Sequence, residues 1–262
     1  MEDAIEAMKK FPDNSVDIVI SDPPYNTSTG NNLLYDNSNH NLPGFGGRWQ
    51  KVMESWDNLP LFDYFNFTLA WLSEAKRILK PTGSMWVHGT YHNIGIINFC
   101  MQLLGIEIIN EVIWYKRNSF PNLAARRLTA SHETILWAHS GNLKNRKYFF
   151  DYEKSKELFD PSDKLKIKDK QLRTVWDIPN NKKPEELALG KHPTQKPLRL
   201  INRLLTLSSE KQGVLLAPFS GSGTECVAGI YSGMKVIGFD LEKEFVDLAN
   251  QRIAVALENY DA

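Results

Sequence analysis

The feature that most constrains this 262-residue chain is a repeated alternation of short apolar runs with amphipathic stretches. Strand-like runs lie at Val16 to Ser21, Ser84 to His88, Ile108 to Tyr115, Thr134 to Ala138, Val214 to Phe219 and Val236 to Asp240. Helix-like spacing marks Asp3 to Lys10, Phe62 to Leu79, Asn93 to Leu104, Pro197 to Ser208, Thr224 to Ser232 and Phe245 to Ala256. Strands alternating with helices predict an α/β fold on a mostly parallel sheet. Such sheets bind ligands beyond the carboxyl ends of their strands.

Two stretches break the alternation. Asn26 to about Pro60 is polar, rich in Asn and Gly, and carries Phe45, Trp49 and Trp56. Aromatic residues are rare in simple linkers, so this loop reads as a functional one. Asn142 to about Lys191 is rich in Lys, acids and Pro, with few regular apolar positions. It reads as an inserted variable segment (residues 142–191) within a single domain spanning 1–262. Lys plus Arg equals Asp plus Glu at 31 each, so overall charge points to neither nucleic acid nor membrane. Two cysteines, Cys100 and Cys226, form no disulfide framework and no zinc-ligand spacing. No metal site, no signal peptide and no membrane span are expected, and a cytoplasmic location is.

The run Ala217-Pro218-Phe219-Ser220-Gly221-Ser222-Gly223-Thr224 joins a strand to a helix. Gly221 and Gly223 allow a tight turn and close approach to a ligand. A Walker loop needs a Lys after the second Gly, and Thr224 stands there. A dinucleotide fingerprint needs a third Gly, and Cys226 stands there. A nucleoside–amino-acid cofactor needs no phosphate cradle. Asp240 or Glu242, at the end of the next strand, is placed to accept ribose hydroxyls. An adenosyl cofactor fits best.

The second unusual turn is Ser21-Asp22-Pro23-Pro24-Tyr25-Asn26. Two prolines fix φ twice and restrict each preceding residue. The turn becomes a stiff holder of a carboxylate and a backbone carbonyl, and Tyr25 adds a ring that can stack. Acceptors of this kind suit a substrate amine.

Together these motifs resemble those of the S-adenosylmethionine-dependent DNA amino-methyltransferases. Asp22-Pro23-Pro24-Tyr25 comes first and Phe219-Ser220-Gly221-Ser222-Gly223 last. That permuted order resembles the β group of bacterial restriction–modification systems. His192-Pro193-Thr194-Gln195-Lys196-Pro197, Glu133 to Ala138 (ETILWA) and the WYK at Trp114 also resemble family segments. Short adenine methylases are most similar. The resemblance implies a Rossmann-like methyltransferase sheet, mostly parallel with one antiparallel strand, and target recognition by residues 142–191. The chain departs from the family at Ala217, where an acid is usual. It also begins at the position of Asp3, so an edge strand is expected to be missing.

The resemblance implies S-adenosylmethionine as cofactor. Asp3, Asp22, Thr194, Lys196, Pro218, Phe219, Ser220, Gly221, Ser222, Gly223, Thr224 and Asp240 or Glu242 would form its site. Thr194 and Lys196 would approach the methionine carboxylate. Asp22 and the Pro23 carbonyl would accept the two N6 hydrogens of a flipped adenine, with Tyr25 stacked on it. Asn26, Arg126 and Arg127 would contact DNA. Double-stranded DNA is the implied partner, single-stranded DNA an alternative; a cognate restriction endonuclease and a homodimer are further implied options. Cytosine N4 is the competing target, RNA or protein amines are further options, and a catalytically silent cofactor- or DNA-binding module is the competing class.

Overall fold

The computed structural model describes residues 2–26, 34–36, 48–50, 58–119, 121, 126–141, 144, 146–190, 192–210 and 212–261. The strands, in chain order, are β1 (Val16–Ser21), β2 (Leu34–Asp36), β3 (Arg48–Gln50), β4 (Leu79–Gly89), β5 (Glu107–Tyr115), β6 (His132–His139), β7 (Val175–Asp177), β8 (Val214–Ala217) and β9 (Lys235–Gly238). The helices are α1 (Ala4–Met8), α2 (Leu61–Ile78), α3 (Ile94–Leu103), α4 (Tyr152–Glu157), α5 (Pro184–Leu187), α6 (Leu198–Ser208), α7 (Thr224–Tyr231) and α8 (Lys243–Asp261).

Seven strands form one sheet in the order β7-β5-β6-β4-β1-β8-β9. All neighbouring pairs are parallel except those made by β6, which runs against both β4 and β5. Strands β2 and β3 pair separately, with Tyr35 opposite Trp49. Phe45 and Trp56, the other aromatics of the expected loop, lie outside the described residues.

Alternation along each strand decides which side chain meets which helix layer. In β1, Ile18 and Ile20 face α6, packing with Leu200, Ile201 and Leu204. Val19 faces the opposite layer with Trp71 and Leu72 of α2 and Ile97 of α3. In β4, Trp86 lies on the first face and Met85 and Val87 on the second. Trp86 is directly opposite Trp137 in register. Their rings stack at 5.0 Å with planes 7° apart, the cross-strand aromatic pairing that pins a register. Both indole N–H groups of the stacked pair have a partner: Trp86 donates to Ser208 Oγ at 2.7 Å and Trp137 to Ser84 Oγ at 3.1 Å.

The segment from residue 142 to 191 supplies α4, α5 and the edge strand β7, which adds parallel to β5. Asp163 is its knot. One carboxylate oxygen accepts from the backbone N–H groups of Leu165, Lys166 and Asp177 at 3.1–3.2 Å. The other accepts from Arg203 of α6 at 2.6 Å. Both side chains are buried, and the Arg203 guanidinium lies 5.2 Å from the Trp176 ring centre.

Removing one member of a buried pair strands the other charge. Asp163→Ala is therefore expected to lower unfolding free energy by about 3–5 kcal/mol. Urea unfolding of the purified variant checks this. A loss below about 1 kcal/mol, the level of an exposed pair, would overturn the reading.

Candidate active site

The parallel strands β1, β4, β8 and β9 end on one rim, and antiparallel β6 begins there, with Thr134 opposite Gly89. The SDPPYN turn after β1 and the glycine turn after β8 thus share the rim despite their distance in sequence. Between them lies a cleft of about 300 Å³. Of the residues expected to bind cofactor, Asp3, Asp22, Thr194, Lys196, Pro218, Phe219, Ser220, Gly221, Ser222, Thr224 and Asp240 line it, as do Pro23, Pro24 and Tyr25. Glu242 is exposed and not in the lining, so of the two ribose candidates only Asp240 faces the cleft.

The glycine turn is tight, as its two glycines imply. Gly221 and Gly223 do adopt positive φ, +47° and +73°. A Cβ on Gly223 would sit 2.8 Å from Ala249 Cβ of α8, and one on Gly221 would sit 3.3 Å from the His192 ring. The missing side chains make room for protein neighbours, and Gly223 does not line the cleft. The Gly221 N–H is also committed, donating to Asp240 Oδ2 at 2.9 Å.

Asp22 anchors a buried network. Lys196 Nζ lies 2.5 Å from Asp22 Oδ2 and donates to the Tyr25 hydroxyl at 2.8 Å. The Tyr25 hydroxyl has one proton, and its shorter contact is to Asp22 Oδ1 at 2.6 Å. Glu133 Oε2 lies 3.1 Å from the same hydroxyl and 3.6 Å from Lys196 Nζ. Glu133 Oε1 accepts from Lys116 at 2.7 Å. Lys196, expected at a cofactor carboxylate, is instead held by Asp22 and Tyr25. A lysine ammonium only 3 % exposed needs a carboxylate partner, and Asp22 is the nearer of the two in reach. Tyr25 is likewise tied at its hydroxyl.

The Pro24 carbonyl accepts from the Tyr64 hydroxyl at 2.7 Å and Asn93 Nδ2 at 3.3 Å. Among the described residues nothing donates to the Pro23 carbonyl. Asn26 was expected to meet DNA. Its side-chain amide instead bonds both ways with the Leu59 backbone, at 2.8 and 3.0 Å, where the chain returns toward α2. Arg126 and Arg127 are exposed and outside the cleft; Arg127 donates to the Tyr91 hydroxyl at 3.0 Å. Asp3 caps α1, its Oδ1 accepting from Ile5 and Glu6 N–H at 3.0 Å.

Glu133, His88, His192 and Glu225 went unassigned in the sequence. His192 lines the cleft and sits edge-on to Phe245 at 4.2 Å. Burial alone would raise the Glu133 carboxyl, but the Lys196 and Lys116 ammonium groups overcome it and hold it at about 2. Burial and the Lys196 charge push His88 down to about 4, and neither of its ring nitrogens has a partner among the described residues. Burial, helped by the Asp22 charge, pushes Glu225 up to about 7.

The lining suits a cation better than an anion. Glu2, Asp3, Asp22, Glu225 and Asp240 face it, against Lys196 alone among lysines and arginines. Phosphates are disfavoured there, while an adenosyl sulfonium carrying net positive charge is welcome. Phe219, Leu241 and Phe245 supply apolar walls. No group of histidines, cysteines and acids able to hold a metal occurs among the described residues.

A family described as DNA methylase, the N6/N4 methyltransferases, matches residues 16–251. The chain belongs to this DNA methylase family. The type II methyltransferase M2.LlaDCHI of Lactococcus lactis subsp. cremoris is 36% identical over 253 residues, 96% of this chain and 87% of that one. M2.DpnII of Streptococcus pneumoniae matches with the same identity and coverage. Among solved structures, the PvuII cytosine-N4 DNA methyltransferase superposes with a TM-score of 0.69 at 18% identity, covering all of this chain and 90% of that one. The M1.HpyAVI–SAM complex superposes at 0.63 and 24%, covering 96% of each chain. The methyltransferase sheet expected from the motifs is thus the fold observed. The chain is a DNA methyltransferase with S-adenosylmethionine as its cofactor.

His88 and Glu225 tilt stability in opposite directions. The His88 value is depressed below 6.5, so its contribution is present above pH 6.5 and lost as pH falls toward 4. The Glu225 value is raised above 4.5, so its contribution is present below pH 4.5 and lost as pH rises through 7. The two slopes oppose each other between pH 4.5 and 6.5. Glu225→Gln is expected to stabilise the free enzyme at pH 8 by up to roughly 3 kcal/mol, and little at pH 4.5. Denaturant unfolding at both pH values checks this; equal stability at pH 8 would contradict it.

Proposed function

We propose that this methyltransferase modifies adenine N6 in double-stranded DNA at a specific site, as the modification partner of a cognate restriction endonuclease in the cytoplasm. The observation that carries the reading is the pair of acceptors at the cleft: the Asp22 carboxylate and the Pro23 carbonyl, adjacent in sequence on a proline-stiffened turn. An exocyclic amine offers two hydrogens to such a pair. The names of the type II relatives support the restriction–modification setting, and the aspartate at the first motif position supports adenine over cytosine.

Adenine N6 is a poor nucleophile because its lone pair is delocalised into the ring. Accepting both N6 hydrogens, Asp22 and Pro23 draw the amine toward tetrahedral geometry and turn its lone pair into the cleft. Asp22 can do this without releasing its partners, since each carboxylate oxygen has two lone pairs. Lys196 and Tyr25 hold the carboxylate in place while it does so. Bound S-adenosylmethionine supplies a methyl group activated by its sulfonium. Asp240 would hold the ribose, since both of its carboxylate oxygens keep acceptor capacity beside the Gly221 and Glu242 N–H groups. The base leaves the duplex to reach this depth. Arg126 and Arg127 are suited to phosphate contact, and residues 142–191 to target recognition.

The test uses unmethylated bacterial DNA, S-adenosylmethionine and nucleoside mass spectrometry. N6-methyladenine is expected. Asp22→Ala is expected to lower its formation at least about 100-fold while cofactor binding persists. N4-methylcytosine would overturn the choice of base, and near wild-type turnover by the variant would overturn the mechanism.

A further inference from the structure

Glu225 is the second residue of α7 and only 4 % exposed, yet it lines the cleft. Its carboxylate accepts from its own backbone N–H, and no other described residue donates to it or pairs with it. The other acids of the lining are all engaged. Asp22 has Lys196 and Tyr25, and Asp240 has two backbone N–H groups. Asp3 caps α1, and Glu2 pairs with Lys10. The nearest guanidinium, Arg252, is spent on the Ser222 carbonyl and Thr224 Oγ1 at 2.6 and 3.1 Å.

A buried carboxylate without a cationic partner is costly, and the neighbouring Asp22 charge makes it costlier. Such a group persists at a site where a ligand completes it. The cleft says which ligand group. Asp240, with Leu241 and Phe245, occupies the end suited to a nucleoside. The charges acting most on Glu225 are those of Asp22, Lys196 and Arg252, with Asp240 not among them. Ala217 leaves the end of β8 without a carboxylate, and Glu225 provides one from the first turn of the next helix.

We propose that Glu225 binds the α-ammonium group of the cofactor's amino-acid tail. This rests on S-adenosylmethionine occupying the cleft. The ammonium brings its own donors and its own charge, so one group satisfies the stranded carboxylate and offsets its repulsion from Asp22. Glu225 is therefore a positioning residue: fixing the amino-acid tail fixes the sulfonium against Asp22.

Isothermal titration of wild type and Glu225→Gln with three ligands tests this. S-adenosylmethionine carries both ammonium and sulfonium, S-adenosylhomocysteine the ammonium alone, and methylthioadenosine neither. Glu225→Gln is expected to weaken the first two alike, by about 10–100-fold, the range for a hydrogen bond between charged groups. Methylthioadenosine should bind both proteins equally, which also shows that the variant is folded. Unchanged affinity for all three overturns the inference and leaves the cofactor assignment standing. Loss confined to S-adenosylmethionine overturns it in favour of a sulfonium contact, and equal loss for all three overturns it as a general distortion. Failure of the wild type to bind S-adenosylmethionine overturns both readings.

Discussion

The ion pair between Lys196 and Asp22 joins parts of the chain 174 residues apart, and the cleft depends on it. A lysine this deeply buried cannot stay charged without a carboxylate, and the stiff SDPPYN turn presents one at a fixed place. Burial alone would lower the Lys196 value, but Asp22 and Glu133 more than offset it. The pairing pins the loop before α6 to the end of β1. That loop carries His192, Thr194 and Gln195 into the cleft wall, with His192 against Gly221. The parallel pairing of β1 with β8 brings the early and late motifs to one rim, and this buried contact ties the loop before α6 to them.

Much of the sheet was legible because periodicity is local. Val16–Ser21 occurs with the bounds expected, and α2 and α6 lie within one residue of theirs. Strand β7 escaped notice for a different reason. Three residues, Val175, Trp176 and Asp177, show no period, and only pairing with Ile113 to Tyr115 makes them a strand. Glu133 escaped for a topological one. It stands at the start of ETILWA, where a parallel strand would carry it away from the rim. Because β6 is antiparallel, the beginning of the strand arrives where its neighbours end.

The glycine turn shows a limit of motif reading. Small residues there suggested close approach of a ligand, yet Gly223 yields to Ala249 and Gly221 to His192. The turn shapes the cleft by letting α8 and the His192 loop close in. Phe219, Ser220, Gly221 and Ser222 of the turn line the cleft, and Gly223 does not. Lys196 shows what a sequence leaves unsaid: a charge beside a helix start is buried in the cleft wall and paired with Asp22.

The surplus of acids in the cleft bears on how a polyanion can be a substrate at all. Phosphates are repelled from a lining of Glu2, Asp3, Asp22, Glu225 and Asp240, so the backbone of DNA must stay outside. What enters has to be neutral or cationic. An unpaired nucleobase is neutral, and a sulfonium cofactor with an ammonium tail is cationic at its reactive end. The chain carries no net charge to attract DNA from a distance, so long-range attraction would fall to local basic patches beyond the cleft. The same electrostatics that favour the cofactor therefore sort the substrate, admitting the base while holding its phosphates at the rim.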